Sequence, residues 1–106
     1  MKHFIAVHTF TDDERKAEFF AMAPHMTIDD ALIKSESANA MQSWISKDED
    51  FFFCHWEAED EDVILSILDE RGMGKFLQTI CYELPGFISR YANELDFAEV
   101  AKKIDL

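Results

Sequence analysis

Apolar positions along this chain alternate in twos over some stretches and recur every three to four residues over others, and the change of rhythm marks out the elements. His3 to Phe10 alternates, with one face His3, Ile5, Val7, Thr9 and the other Phe4, Ala6, His8, Phe10, so it reads as a first strand. Thr11-Asp12-Asp13-Glu14 has the form of a capping box, and the helix it opens runs through Ala17, Phe19, Phe20 and Met22 to a stop near Pro24. A second box, Thr27 with Asp30, predicts a short helix from Ile28 to about Ser37. Met41 to Ser46 is read as a second strand, Lys47-Asp48-Glu49-Asp50 as a charged turn without glycine, and Phe51 to Glu57 as the returning third strand. Acids from Glu57 to Asp62 then stand at the positive mouth of a helix over Asp60 to Arg71. Its buried stripe is Val63, Ile64, Ile67 and Leu68, and Gly72 ends it in a left-handed conformation. Phe76 to Leu84 is the fourth strand, closed by Pro85-Gly86. Beyond it Phe87, Ile88, Tyr91 and Leu95, and then Phe97, Val100, Ala101 and Ile104, recur at helical spacing.

With no linker or repeat, these elements predict one domain over 1–106, a core of about 2–84 with a helical tail over 85–106. The apolar share of 48%, with ten phenylalanines, is that of a folding chain. Twenty-two acids against ten bases give a formal charge of −12. Nothing basic clusters, which argues against nucleic acid or an anionic membrane surface as a partner. No apolar run nears the ~20 residues of a bilayer span, and the N-terminal stretch lacks the apolar core of a secretion signal, so a cytoplasmic protein is expected. Cys54 and Cys81 lie in separate strands without a second cysteine at metal-ligand spacing, and are expected to be buried free thiols.

The order βαββαβ with an added C-terminal helical segment is α+β, the split arrangement of ferredoxin-like sandwiches. Our reading of that order sets the first and third strands side by side and parallel at the centre of the sheet, with the first separating Cys54 from Cys81. Helices cover one face of such a sheet. All four strands nevertheless keep apolar side chains on both faces, so the sheet of a second copy is expected on the other, giving a homodimer. The doubly apolar sheet resembles that of the dimeric α+β barrel superfamily. Gln42-Ser43-Trp44-Ile45-Ser46, followed by Phe53-Cys54-His55-Trp56-Glu57-Ala58-Glu59-Asp60-Glu61, further resembles the small nickel-binding-protein-like family within it. The resemblance spans roughly residues 2 to 84 and implies a cavity between the two sheets, used by some relatives for metal and by others for small-molecule chemistry. The paired helices before Ser37 and the tail after Pro85 depart from it.

If Phe52, Cys54 and Trp56 face the helices, His55 and Glu57 face the cavity. With Ile5 and Val7 also turned to the helices, His8 joins His55 at one end of parallel neighbours. His8, His55 and Glu57 then form a candidate set for a divalent transition metal. Nickel is the ion the resemblance implies, while the ligand types equally suit zinc or copper. Phe51, Phe53, Gln78 and Tyr82 are the further candidate lining. The competing reading makes His8 and His55 rim or core histidines with hydrogen-bond partners and no metal. His3 is read as a strand-end surface residue and His25 as a loop residue. No serine elbow, phosphate loop or His-Glu-x-x-His helix is present, and Gly72-Met73-Gly74-Lys75 reads as a turn.

Three functions therefore stay open. One is a dimeric binding protein for a divalent transition metal or small apolar ligand. Another is a cofactor-independent monooxygenase- or cyclase-like enzyme with His55 or His8 as general base. The last is a structural or regulatory protein-interaction module.

Overall fold

In a computed structural model, which describes residues 1–90 and 101–102, the chain forms a four-stranded sheet with helices packed on one face. Strand β1 (Lys2–Phe10) leads to helix α1 (Asp13–Met22), a 3-10 turn (Ala23–His25) and the one-turn helix α2 (Ile28–Ala31). β2 (Ala38–Trp44) and β3 (Phe51–Ala58) form a hairpin, and helix α3 (Glu61–Glu70) and a second 3-10 turn (Met73–Lys75) lead to β4 (Leu77–Leu84). The sheet order is β2-β3-β1-β4, an α+β architecture compatible with the ferredoxin-like arrangement.

β1 and β3 are antiparallel, correcting the parallel expectation: Lys2 stands opposite Ala58, Ile5 opposite His55 and Thr9 opposite Phe51. The reason is topological. The helical crossover returns β2 in the direction of β1, the hairpin reverses β3, and β3 therefore opposes β1 as well as β2. β4 is also antiparallel to β1.

The faces of β1 are likewise the reverse of those expected. Residues directly opposite one another in an antiparallel pair share a face. Phe4 lies opposite Trp56, Ala6 opposite Cys54 and His8 opposite Phe52, so Phe4, Ala6, His8 and Phe10 are the side chains buried under the helices. Ile5 and Val7 lie on the open face. The hydrophobic core comprises Phe4, Ala6 and Phe10 of this row, Phe52, Cys54, Trp56 and Ala58 of β3, Ala38 and Ala40 of β2, Leu77 of β4, Phe19, Ile64 and Leu68 from the helices, and Ile33 and Phe76 from the connections, with His8 enclosed among them. Phe10, Phe19 and Phe52 meet in tilted and edge-on contacts with centroids 5.3 to 5.7 Å apart, geometries that suit the ring quadrupole.

Local signals are realised with four departures. Asp12 rather than Thr11 caps α1, its carboxylate accepting from the Arg15 amide at 2.7 Å, while the Thr11 hydroxyl donates to the Lys75 carbonyl. The Thr27–Asp30 box forms in full, but α2 ends after Ala31 instead of near Ser37. The backbone is diverted there: Ile33 is buried, Ser35 and Ala38 exchange hydrogen bonds, and β2 starts at Ala38, because buried Ala38 and Ala40 extend the ladder with β3. A bulge between Ala40 and Gln42 leaves Met41 unpaired in register. α3 matches its expectation closely, with Asp60 accepting from the Val63 amide and Gly72 at φ 74°. Residues 86–89 have no regular secondary structure, contrary to a helix through Phe87 and Ile88. The rest of the expected helical tail lies largely outside the described residues.

Cys54 and Cys81 are both unbridged and flank Ala6 of the intervening strand. Burial pushes each thiol up to about 11, aided at Cys81 by Glu61 and opposed at Cys54 by the Ser43 hydroxyl. Both are therefore thiols, and poor nucleophiles, at neutral pH.

Candidate functional site

The open face of the sheet carries the side chains that alternate away from the core. They are His3, Ile5, Val7 and Thr9 of β1, Phe51, Phe53, His55 and Glu57 of β3, Gln78, Ile80 and Tyr82 of β4, and Gln42 and Trp44 of β2. Trp44, Phe51, Phe53, Ile80 and Tyr82 are exposed on it. So many large apolar groups on one face are uncommon on the surface of an isolated subunit.

At one end of this face His3 and His55 meet. Glu57 is directly opposite His3, and His55 stands two residues before Glu57 on β3, on the diagonal that long side chains span. His3 Nδ1 lies 3.0 Å from His55 Nε2, and the rings are tilted by 43°. One of these nitrogens donates and the other accepts. Phe87 stands edge-on to both rings, with centroids 5.0 Å from His3 and 4.6 Å from His55. The pair lines a recess of about 420 Å³, walled by Ile5, Met41, Trp44 and Leu84 and rimmed by Gln42 and Arg90. Partial burial is the main cause that lowers the His55 pKa, and His3 adds to it while Glu57 opposes it. His55 is thus held as a neutral imidazole at neutral pH, the form that binds metal or accepts a proton.

The sequence candidates separate between the two faces. His55 and Glu57 are on the open face as expected, together with Phe51, Phe53, Gln78 and Tyr82. These last four line no part of the recess. His8 is on the opposite face, 1% exposed, with Nδ1 2.7 Å from Thr79 Oγ1 and its ring against Phe52. Its burial pushes the imidazole down to about 4. His8 and His55 therefore cannot share one ion or one substrate, and the set His8, His55, Glu57 does not fit a metal. Among the described residues no three His, Cys, Asp or Glu side chains converge on one point.

His3 takes the place that His8 was expected to fill. The signal for it was available: His3 belongs to the Ile5 and Val7 face, and an antiparallel pairing brings that face beside His55. Gln42 and Phe87 carried no comparable signal, since a bulge positions the first and an irregular segment the second. No helix among the described residues is long and apolar enough to cross a membrane. No family model, no curated protein and no solved structure matches the chain.

Proposed function

We propose that the protein is a homodimeric binding protein that holds a divalent transition metal on the open face of its sheet, with His3 and His55 as the donors this chain supplies. The observation that carries the reading is the 3.0 Å between His3 Nδ1 and His55 Nε2. Two nitrogens each ~2.0–2.1 Å from one ion are ~2.9 Å apart at a right angle and ~3.3 Å apart at a tetrahedral angle. On binding, an ion would replace the proton shared by the two nitrogens, and two imidazoles suit nickel(II), copper(II) or zinc. The His55 imidazole, kept neutral by its partial burial, is a suitable donor. A second copy laid over Trp44, Phe51, Phe53, Ile80 and Tyr82 would withdraw those side chains from water and close the recess. The aliphatic and aromatic walls of the recess favour a second reading, a small apolar ligand hydrogen-bonded to the imidazole pair.

Calorimetric titration of nickel, copper and zinc into protein without an affinity tag tests the metal reading. Saturable heat is expected from the wild type and from His8→Ala, and none from the His3→Ala, His55→Ala double variant. No heat from the wild type removes the metal. Heat that survives in the double variant removes these two donors.

A further inference from the structure

A second cavity, of about 320 Å³, lies on the other side of the sheet, between it and the helices. α1 and α3 pack chiefly on strands rather than on each other. Beneath them the side chains in one cross-strand row are small: Ser43, Cys54, Ala6 and Cys81 are successive partners across β2, β3, β1 and β4. A helix layer bridging small residues leaves space. The buried part of the wall is mostly apolar, with Phe19, Ile33, Phe52 and Leu68, and Met22, Met26 and Met73 add unbranched side chains that adapt to a guest. Its polar members are uncharged at neutral pH: the Cys54 thiol is bonded to the Ser43 hydroxyl, and the buried His8 imidazole to Thr79.

The charged residues that line the cavity are two, opposite in sign and both exposed, and they stand at its mouth: Asp30 and Arg71. Local structure fixes each. The Thr27 amide donates to Asp30 Oδ2 at 3.0 Å, which leaves Oδ1 to accept from elsewhere. Arg71 closes α3 with its amide bonded to the Ile67 carbonyl. The hydrogen bonds of Thr27, and after them the nearby Arg71 guanidinium, hold the Asp30 carboxyl below its ordinary range. The two charges nevertheless make no ion pair with each other, and among the described residues no other carboxylate pairs with Arg71. A simple anion approaching Arg71 meets Asp30 and a chain charge of −12, and a simple cation approaching Asp30 meets Arg71. A head group that carries both charges satisfies both residues.

We propose that this cavity binds a free α-amino acid with a large apolar side chain, its carboxylate on Arg71, its ammonium on Asp30 and its side chain between the helices and the sheet. Charge-assisted hydrogen bonds orient the head at the mouth, and the apolar walls take the side chain out of water. The volume is at the lower end of the ~300–1,000 Å³ range of small-molecule sites, which suits a ligand of this size. The site is separated by the sheet from the His3–His55 pair, so it stands or falls independently of the metal reading.

Phenylalanine, 3-phenylpropanoate, which lacks the ammonium, and phenethylamine, which lacks the carboxylate, are the probes. Carbon-13 methyl spectra follow the five methionines, with single Met→Leu variants assigning them. Phenylalanine is expected to shift Met22, Met26 and Met73 saturably and to leave Met41, which lines the His3–His55 recess, in place. It is expected to bind about tenfold more tightly than either truncated probe, the margin of one hydrogen bond between charged groups. Arg71→Gln and Asp30→Asn test the two ends of the head; both positions are exposed, and asparagine keeps an oxygen for the Thr27 amide. Each variant is expected to weaken phenylalanine about tenfold, and Asp30→Asn to tighten 3-phenylpropanoate. Cavity methionines unmoved by phenylalanine overturn the proposal, and so does a truncated probe that binds the wild type as tightly as phenylalanine. Phenylalanine affinity unchanged in either variant overturns it too, and a shift confined to Met41 places the ligand on the other face and does the same.

Discussion

Among the described residues, His8 is the only polar side chain enclosed in the core, and its chemistry follows from that. Burial opposes the imidazolium and holds the pKa down to about 4, against ~6.5 in an unfolded chain. Between these values the unfolded chain takes up a proton that the folded one refuses. The contribution to stability is complete above pH ~6.5, is lost as the pH falls toward 4, and amounts to about 3 kcal/mol over that window. Urea denaturation at pH 7.5 and pH 4.5 checks this: the wild type is expected to lose more stability on acidification than a His8→Gln variant, which has no proton to take up there. An equal loss in both would show that His8 is not the group responsible. The Thr79 hydroxyl is what makes the burial tolerable, since it satisfies Nδ1 in place of water.

At the scale of elements, short-range signals served well wherever one or two side chains decide the outcome. Asp60 and Gly72 bracket α3 because a carboxylate satisfies an orphan amide and a glycine accepts φ 74° without a Cβ clash. Thr11 and Asp12 are both competent caps for α1, and the Thr11 hydroxyl's bond to Lys75, 64 positions away, leaves the cap to Asp12. Asp12→Ala is accordingly expected to cost ~1 kcal/mol, and Thr11→Ala clearly less, in thermal or urea denaturation. Reversal of that order would return the cap to Thr11. α2 is shorter than its pattern predicts for a related reason: its capping box marks a beginning, while its end depends on the pairing of Ala38 and Ala40 with β3.

For the whole molecule, the dominant feature is a sheet covered by helices on one face and bearing exposed aromatic and aliphatic groups on the other. The proposed dimer makes this face an interface between copies. Sedimentation at micromolar concentration is expected to give twice the 12.3 kDa chain mass. A Phe53→Glu, Ile80→Glu variant is expected to give the single-chain mass, because two carboxylates would be buried without partners. With −12 on each chain, salt should tighten association by screening the repulsion between copies. A monomeric wild type would remove the closure of the His3–His55 recess.

Hydrophobic period, caps and a terminal glycine determined the strand and helix order, the α+β class and the doubly apolar sheet, because each is a property of neighbours along the chain. The direction of β1 against β3, and with it the face on which each histidine lies, was decided only in three dimensions. β1 is apolar on both faces, so its own pattern is silent about which side meets the helices. The choice falls to pairing: Phe4, Ala6 and His8 stand opposite Trp56, Cys54 and Phe52, and the helices bury that side. A residue that alternation alone could not orient, His3, thereby became the partner of His55, and His8 became part of the core.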